Sequence, residues 1–293
     1  METENIQMGK NGKRKTSDTL FCSFVWNDVI KPALLYVLAL FIISIPFIIK
    51  KSPAKIIEQV LYKKSGIVLN ISNFNQIMVN VIWIILVLAG SFYFLKHVNK
   101  NNDFHKNGNG YLDCPYWVLN TVAKPLGYVS INTVNVALWL QFKIYRSSSW
   151  ETKSVNESNY PQSLDDVVIS KYKAKKENRV VNLILEDTYP VYDKIPESIL
   201  CSHDTVKIRR KSNKPGYRSI NKDFLSKVSS EVYKIYKENY EQINLFLTTN
   251  PYHTKMIVRN SFRTGPREKD LRVVIYQSIG ENHEYTEPHI VIM

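Results

Sequence analysis

Thr248-Thr249-Asn250-Pro251-Tyr252-His253-Thr254-Lys255 closes one apolar run and opens another with helical spacing. Asn250 suits the N-cap and Pro251 the first helical position. In open α/β sheets ligands collect at the carboxyl ends of the strands, and the helix amides there attract anions. Thr248, Thr249, Asn250, His253 and Lys255 are therefore candidate phosphate contacts. The alternative is that Asn-Pro only starts a helix, with His253 and Lys255 on a solvated face. A second basic run extends from Lys207 to Arg218. In an extended segment Lys207, Arg209 and Lys211 share one face and Arg210 takes the other. Such a run either clamps a polyanion or guards a solvated hairpin edge with charge. The six histidines show no metal-ligand spacing, and no Gly-rich phosphate loop or nucleophile elbow is present. These patterns point to binding rather than catalysis, with no metal or cofactor required.

The elements that would position these residues fill the second half of the chain. Val180 to Leu185 predicts a buried strand and Thr205 to Arg209 a half-exposed one. Asn221 caps a helix reaching about Tyr240, with Phe224, Leu225, Val228, Val232, Ile235, Tyr236 and Tyr240 on one stripe. Ile243 to Thr248 predicts a strand, Pro251 to Phe262 a helix, Leu271 to Tyr276 a strand, and His289 to Ile292 a short closing strand. That alternation argues an α/β fold with a Rossmann-like parallel core over residues 151–293.

The first third is of another kind. Pro32 to Ile49 and Ile77 to Leu95 are uncharged apolar stretches of 18 and 19 residues, close to the roughly 20 that cross a bilayer as helix. A signal peptide fits poorly, because about 30 polar residues precede the first stretch and no small-residue cleavage site follows it. A buried soluble helix would show a polar face. Residues 1–29 thus read as a cytosolic tail, with Leu20 to Trp26 at the interface, and 30–98 as a two-helix transmembrane module. Ile56, Ile57, Val60 and Leu61 beside Lys55, Lys63 and Lys64 predict a short amphipathic helix in the intervening loop.

The formal charge of +13 is uneven, with 16 Lys and Arg against 7 Asp and Glu in residues 1–150, and 23 against 19 in residues 151–293. Most of the basicity therefore serves membrane lipid headgroups and topology, which disfavours a domain that coats nucleic acid. Lysine bias gives a modest vote for both termini in the cytoplasm. Three scattered cysteines exclude a disulfide framework. Residues 99–150 form a connector in which Pro125 to Phe142 is again uncharged yet contains Asn132 and Asn135. That stretch is either a half-buried connector or a third membrane-embedded segment. In the second case Asn132 and Asn135, like Asn80 in the second span, would face a pore or a partner helix.

Three segments of the second half carry a family resemblance. Ile243 to Leu247 leads through Thr249-Asn250-Pro251 into a helix, and Val273 to Gln277 and Tyr285 to Ile292 follow. This order resembles the C-terminal half of a SAVED domain, a cyclic-oligonucleotide sensor related to CARF-type Rossmann sensors, over about 50 residues. That family usually fuses two lobes, and this half is about one lobe long. Two spans before such a domain resemble the transmembrane effectors of bacterial antiphage operons, or the Hailong effectors controlled by DNA oligomers. The resemblance implies a multi-pass protein of the bacterial inner membrane with a cytoplasmic sensing domain. It implies a homo-oligomeric ion channel gated by a cyclic oligonucleotide or short oligomer, with an operon-encoded nucleotidyltransferase as signal source. A membrane anchor for a partner protein is the competing class.

Overall fold

The computed structural model describes residues 30–48, 53–65, 73–105, 111–153, 155–174, 179–211, 216–263, 271–279 and 284–292. The expected tail over 1–29 lies outside them. The chain divides into two units, Met1–His97 with Asn109–Leu112, and Val98–Gly108 with Asp113–Met293.

The first unit carries helices α1 (Lys31–Ile48), α2 (Pro53–Ser65) and α3 (Asn73–Asn99). Both apolar stretches are helical, as their composition predicts. Gln76–Asn99 of α3, 24 residues, is the one helix among the described residues long and apolar enough to cross a membrane; in α1 the apolar segment is the shorter Val37–Pro46. At about 1.5 Å per residue the α3 segment reaches beyond the roughly 30 Å of a hydrocarbon core. Its side chains from Ile77 to Phe94 are all exposed or half-buried. The hydroxyls in both helices turn back on their own backbone, Ser44 to the Phe41 carbonyl and Ser91 to the Val87 carbonyl, each at 2.7 Å. Neither then needs water. Helix α2 forms where the amphipathic pattern predicts it.

The second unit is built on a six-stranded sheet of order β3-β5-β4-β6-β7-β8. Its strands are β3 (Val167–Tyr172), β4 (Val180–Glu186), β5 (Asp204–Arg210), β6 (Gln242–Thr248), β7 (Arg272–Ile279) and β8 (Glu284–Ile292). β5, β4, β6 and β7 are mutually parallel, while β3 and β8 run antiparallel along the edges. β4 and β6 are mostly apolar because both faces are covered, and the buried Asn244 amide donates to Asn182 Oδ1 at 3.0 Å. A pair of two-residue parallel strands, β1 (Asp103–Phe104) and β2 (Ser130–Ile131), stands apart, with the single-turn α4 (Tyr116–Val118) between them in sequence.

One face is covered by α7 (Lys222–Lys237), where Phe224, Val228, Val232 and Ile235 are buried at helical spacing. The Asn221 side chain caps α7 by accepting the Phe224 N–H at 2.8 Å, a contact worth about 1 kcal/mol. Helix α8 (Pro251–Ile257), continued by a π-helical turn over Val258–Phe262, covers the same face. On the other face Ile184, Phe246 and Tyr285 pack against Val191 and Ile195, with the short α6 (Glu197–Ser202) beside them.

The stretch 125–142 is broken rather than continuous. It runs through a turn and β2 before entering α5 (Leu138–Ser147), where Leu140, Phe142 and Ile144 are fully buried and which packs on β7 and β8. The membrane-embedded alternative for it is therefore corrected. Its lack of charge reflects burial within the sheet unit, which begins well before residue 151. Asn132 accepts the Val134 N–H on its own side chain at 3.0 Å, and Asn135 takes the left-handed conformation at φ 57°. Both are turn residues, which removes the geometric reason for setting them at a pore or a helix contact.

Candidate nucleotide interface

Chain order makes β4 the hub of the sheet, because the chain leaves it to one side for β5 and later returns to the other side as β6. The switch point between β4 and β6 is where such sheets place ligands. Four separated segments meet there: Asp187 just after β4, Arg210 ending β5, Ser219 to Asn221 before α7, and Asn250 to His253 at the start of α8.

Asp187 is the centre of this node. Its Oδ2 accepts the Asn250 backbone N–H at 3.1 Å, the Asn250 side-chain amide at 3.2 Å and His253 Nδ1 at 2.8 Å. Its Oδ1 lies 3.3 Å from Arg210 Nε. His253 Nε2 accepts the Asn221 N–H at 3.0 Å, so the neutral ring carries its proton on Nδ1 and donates it to Asp187. Arg210 also donates to Ser219 Oγ at 2.8 Å, to the Ser219 carbonyl at 3.2 Å and to the Tyr217 carbonyl at 3.0 Å. The side chains of Asp187, Arg210 and His253 are all fully buried. A node of this kind fixes the carboxyl ends of three strands and two helix starts relative to one another.

The anion at the start of α8 is therefore the chain's own carboxylate, in the position where a phosphate was expected. Asn250, His253 and Arg210 are spent inside the fold. Thr248 donates to the Tyr189 carbonyl at 2.6 Å, and the Thr249 hydroxyl bonds that of Thr254 at 2.7 Å. Lys255 donates to the carbonyls of Thr152 and Val155 at 3.3 and 2.9 Å, and burial, reinforced by Arg259, pulls its ammonium pKa down. The structure therefore does not gather these five residues around an open cleft.

Lys207 and Arg209 are placed differently. They share a face of β5, as alternation predicts, with Ser170 and Val168 opposite them on β3. The Lys207 ammonium sits 4.5 Å above the Tyr192 ring, and no ion pair holds it among the described residues. Arg209 Nε is 3.8 Å from Glu186 Oε2, with the arginine side chain 54% exposed and the glutamate 2%. Glu186 in turn accepts the N–H groups of Val191 and Tyr192 at 2.7 and 2.9 Å, which seats Tyr192 beneath Lys207. Sequence reasoning missed Glu186, Asp187 and Tyr192. The one available signal was a pair of acids directly ending an apolar strand.

The loop after β4 is pinned by Thr188, whose N–H and hydroxyl both donate to the Thr248 carbonyl at 2.9 Å, while Gly216 donates its N–H to the Thr188 carbonyl at 2.9 Å. Gly216 has φ +82°, and a Cβ there would lie 2.5 Å from the Tyr189 hydroxyl. Gly216→Ala is expected to lower stability by about 1–3 kcal/mol, read as a fall in the urea midpoint. An unchanged midpoint would mean the loop is free to shift.

The chain combines a mixed sheet with a parallel core and a long apolar helix, an α/β class with one segment long enough to cross a membrane. The chain belongs to the SMODS- and Ubiquitin system-associated 2TM effector domain family (SUa-2TM), whose family model matches residues 16–292. It is an effector of that two-transmembrane type. No curated protein matches it in sequence. It is similar to the Acinetobacter baumannii Cap4 SAVED/CARF-domain containing receptor, solved with the cyclic trinucleotide 3'3'3'-cAAA, at TM-score 0.40 and 7% identity over 82% of this chain. The chain spans 66% of that receptor's length.

Proposed function

We propose that this protein is a membrane effector of antiphage defence: its SAVED-like sheet unit binds a nucleotide signal, and that binding gates an ion channel. The signal is a cyclic oligonucleotide or a short DNA or RNA oligomer made by an operon-encoded nucleotidyltransferase. In this reading α1 and α3 both span the bacterial inner membrane, the sheet unit is cytoplasmic, and the protein acts by binding rather than catalysis. The observation that carries the nucleotide half is the pairing on one face of β5 of Lys207, half-buried over the Tyr192 ring, with the exposed Arg209. Cations over aromatics match the phosphates and bases of a nucleotide. Membership of a two-transmembrane effector family supports the membrane half.

Two helices cannot enclose water, so a channel needs several copies. Asn80 Oδ1 and Trp83 Nε1, one turn apart on α3, are covered and have no hydrogen-bond partner among the described residues. In hydrocarbon such groups call for a partner helix or water. Purified protein in liposomes is expected to pass ions only when a cognate oligonucleotide is added, and to have an oligomeric mass in detergent. Asn80→Leu is expected to change the mass or reduce the flux several-fold without altering nucleotide affinity. A monomer with no flux in either condition would favour a membrane anchor for a partner protein.

A further inference from the structure

The sheet is unevenly covered. On the face that Ile184 and Phe246 share, Val191 and Ile195 of the segment 187–202 pack on the sheet centre, while at the β3–β5 corner that segment contributes only the Tyr192 ring, against Lys207 and Tyr172, and leaves Val168 and Tyr172 partly exposed. In-register pairing sets Val168, Ser170 and Tyr172 of β3 beside Arg209, Lys207 and Thr205 of β5 on that same face. Val168 is 37% exposed and Tyr172 46%. Both are large apolar groups that an edge strand with no ligand would be expected to replace with charge.

We infer that this corner is a nucleobase-stacking subsite, in which Tyr172 takes the face of one base of a single-stranded or cyclic oligonucleotide while Lys207 and Arg209 hold the adjoining phosphates. The inference rests on the nucleotide-sensing reading above and adds the place and the stacking residue. Tyr172 and Tyr192 have ring centroids 5.9 Å apart at 39°. Tyr192 thus buttresses one side of Tyr172 and, through the Glu186 contacts to its backbone, is itself held rigid. Lys207 stands 4.5 Å above Tyr192 with no carboxylate partner among the described residues. A cation positioned by a ring keeps its full attraction for a phosphate. Arg209, one step further along the same face, is partly neutralised by Glu186 and contributes less. A sheet surface bearing an exposed aromatic flanked by cations is a sequence-tolerant platform for unpaired bases.

Helix α7 provides an internal control. There Lys237 sits over the Tyr233 ring, also at 4.5 Å, with Tyr233 51% exposed, but no β-strand face adjoins them to lay out a nucleotide. The test uses the full-length chain in detergent and reads fluorescence anisotropy with labelled 5'-phosphorylated trinucleotides of A, C, G and U, and cyclic 3'3'3'-cAAA. Tyr172→Leu is expected to weaken binding about tenfold or more, Tyr172→Phe less than twofold, and Tyr233→Leu not at all. Lys207→Gln, which leaves the apolar contacts in place, is expected to weaken binding severalfold and flatten its salt dependence. If the wild type binds but either Tyr172→Leu, still folded, or Lys207→Gln binds equally well, the subsite is overturned and the nucleotide reading survives. Should Tyr172→Leu fail to fold, Lys207→Gln decides in the same way. Weakening by Tyr233→Leu to the same degree would also overturn the subsite. Failure of the wild type to bind any of these probes would overturn both readings.

Discussion

Asp187→Ala is expected to lower the stability of the sheet unit by about 3–5 kcal/mol. The substitution leaves the fully buried Arg210 guanidinium without its nearest carboxylate, with only Asp165 remaining, at 3.5 Å. It also strips the acceptor from the Asn250 N–H and from His253 Nδ1, and each buried donor left unmet costs roughly 1–3 kcal/mol. Asp187→Asn keeps an acceptor oxygen and loses the charge, so it should fall between the variant and the wild type. Thermal unfolding of the detergent-solubilised chain is the measurement, with a fall on the order of 6–20 °C for the alanine variant. A shift of a degree or two would mean that the node does not hold the strand ends together.

Leu86→Lys is expected to have the second large effect, on topology rather than stability. Leu86 lies near the middle of Gln76–Asn99 and is 63% exposed. A lysine at the centre of a spanning helix costs about 2.5–3.5 kcal/mol of insertion. If α3 stays out of the membrane while α1 still spans, the sheet unit moves to the other side of the bilayer. Cys201 is an exposed thiol on that unit and Cys114 a buried one. In intact cells carrying Cys22→Ser, an impermeant maleimide should leave the parent protein unlabelled and should label the Leu86→Lys variant at Cys201. Labelling of the parent would reverse the proposed orientation, and no labelling of the variant would show that α3 does not set it.

The parts of this fold that were legible share a cause: the signal lay within the element. Val180 to Leu185 and Ile243 to Leu247 are apolar apart from Asn182 and Asn244 because they are central strands, and Asn221 and Asn250-Pro251 mark the helix starts by local capping chemistry. β3 was not legible, because an edge strand reading Val-Val-Ile-Ser-Lys-Tyr is half exposed and has no clear alternation. β8 was seen only over its last four residues, since Pro288 and irregular pairing interrupt the pattern. The uncharged run 125–142 left two readings open for a related reason. Burial against a sheet and burial in lipid both remove charge, and only the amides within it separated the two. The buried node was invisible because Asp187, Arg210, Asn221 and His253 are brought together by topology alone. Lys207 and Arg209 were legible as one face of a strand, but the ring beneath Lys207 comes from a segment that carries no local signal.

The order in which the strands occur along the chain also bears on synthesis. β4, β5, β6 and β7 are mutually parallel, and the hub strand β4 finds its second parallel partner only when β6 has been made. The ribosome delivers α1 and α3 first, so at roughly 5–20 residues per second several seconds or more pass between the emergence of α3 and that of β8. From the completion of β4 until β6 is made, Leu183 and Leu185 have a strand edge without its neighbour, and long-range parallel pairing is slow to form. The nascent protein is thus a chain with an unfinished sheet, and its most vulnerable period for protease attack and misassembly falls between the synthesis of α3 and the addition of the last two strands.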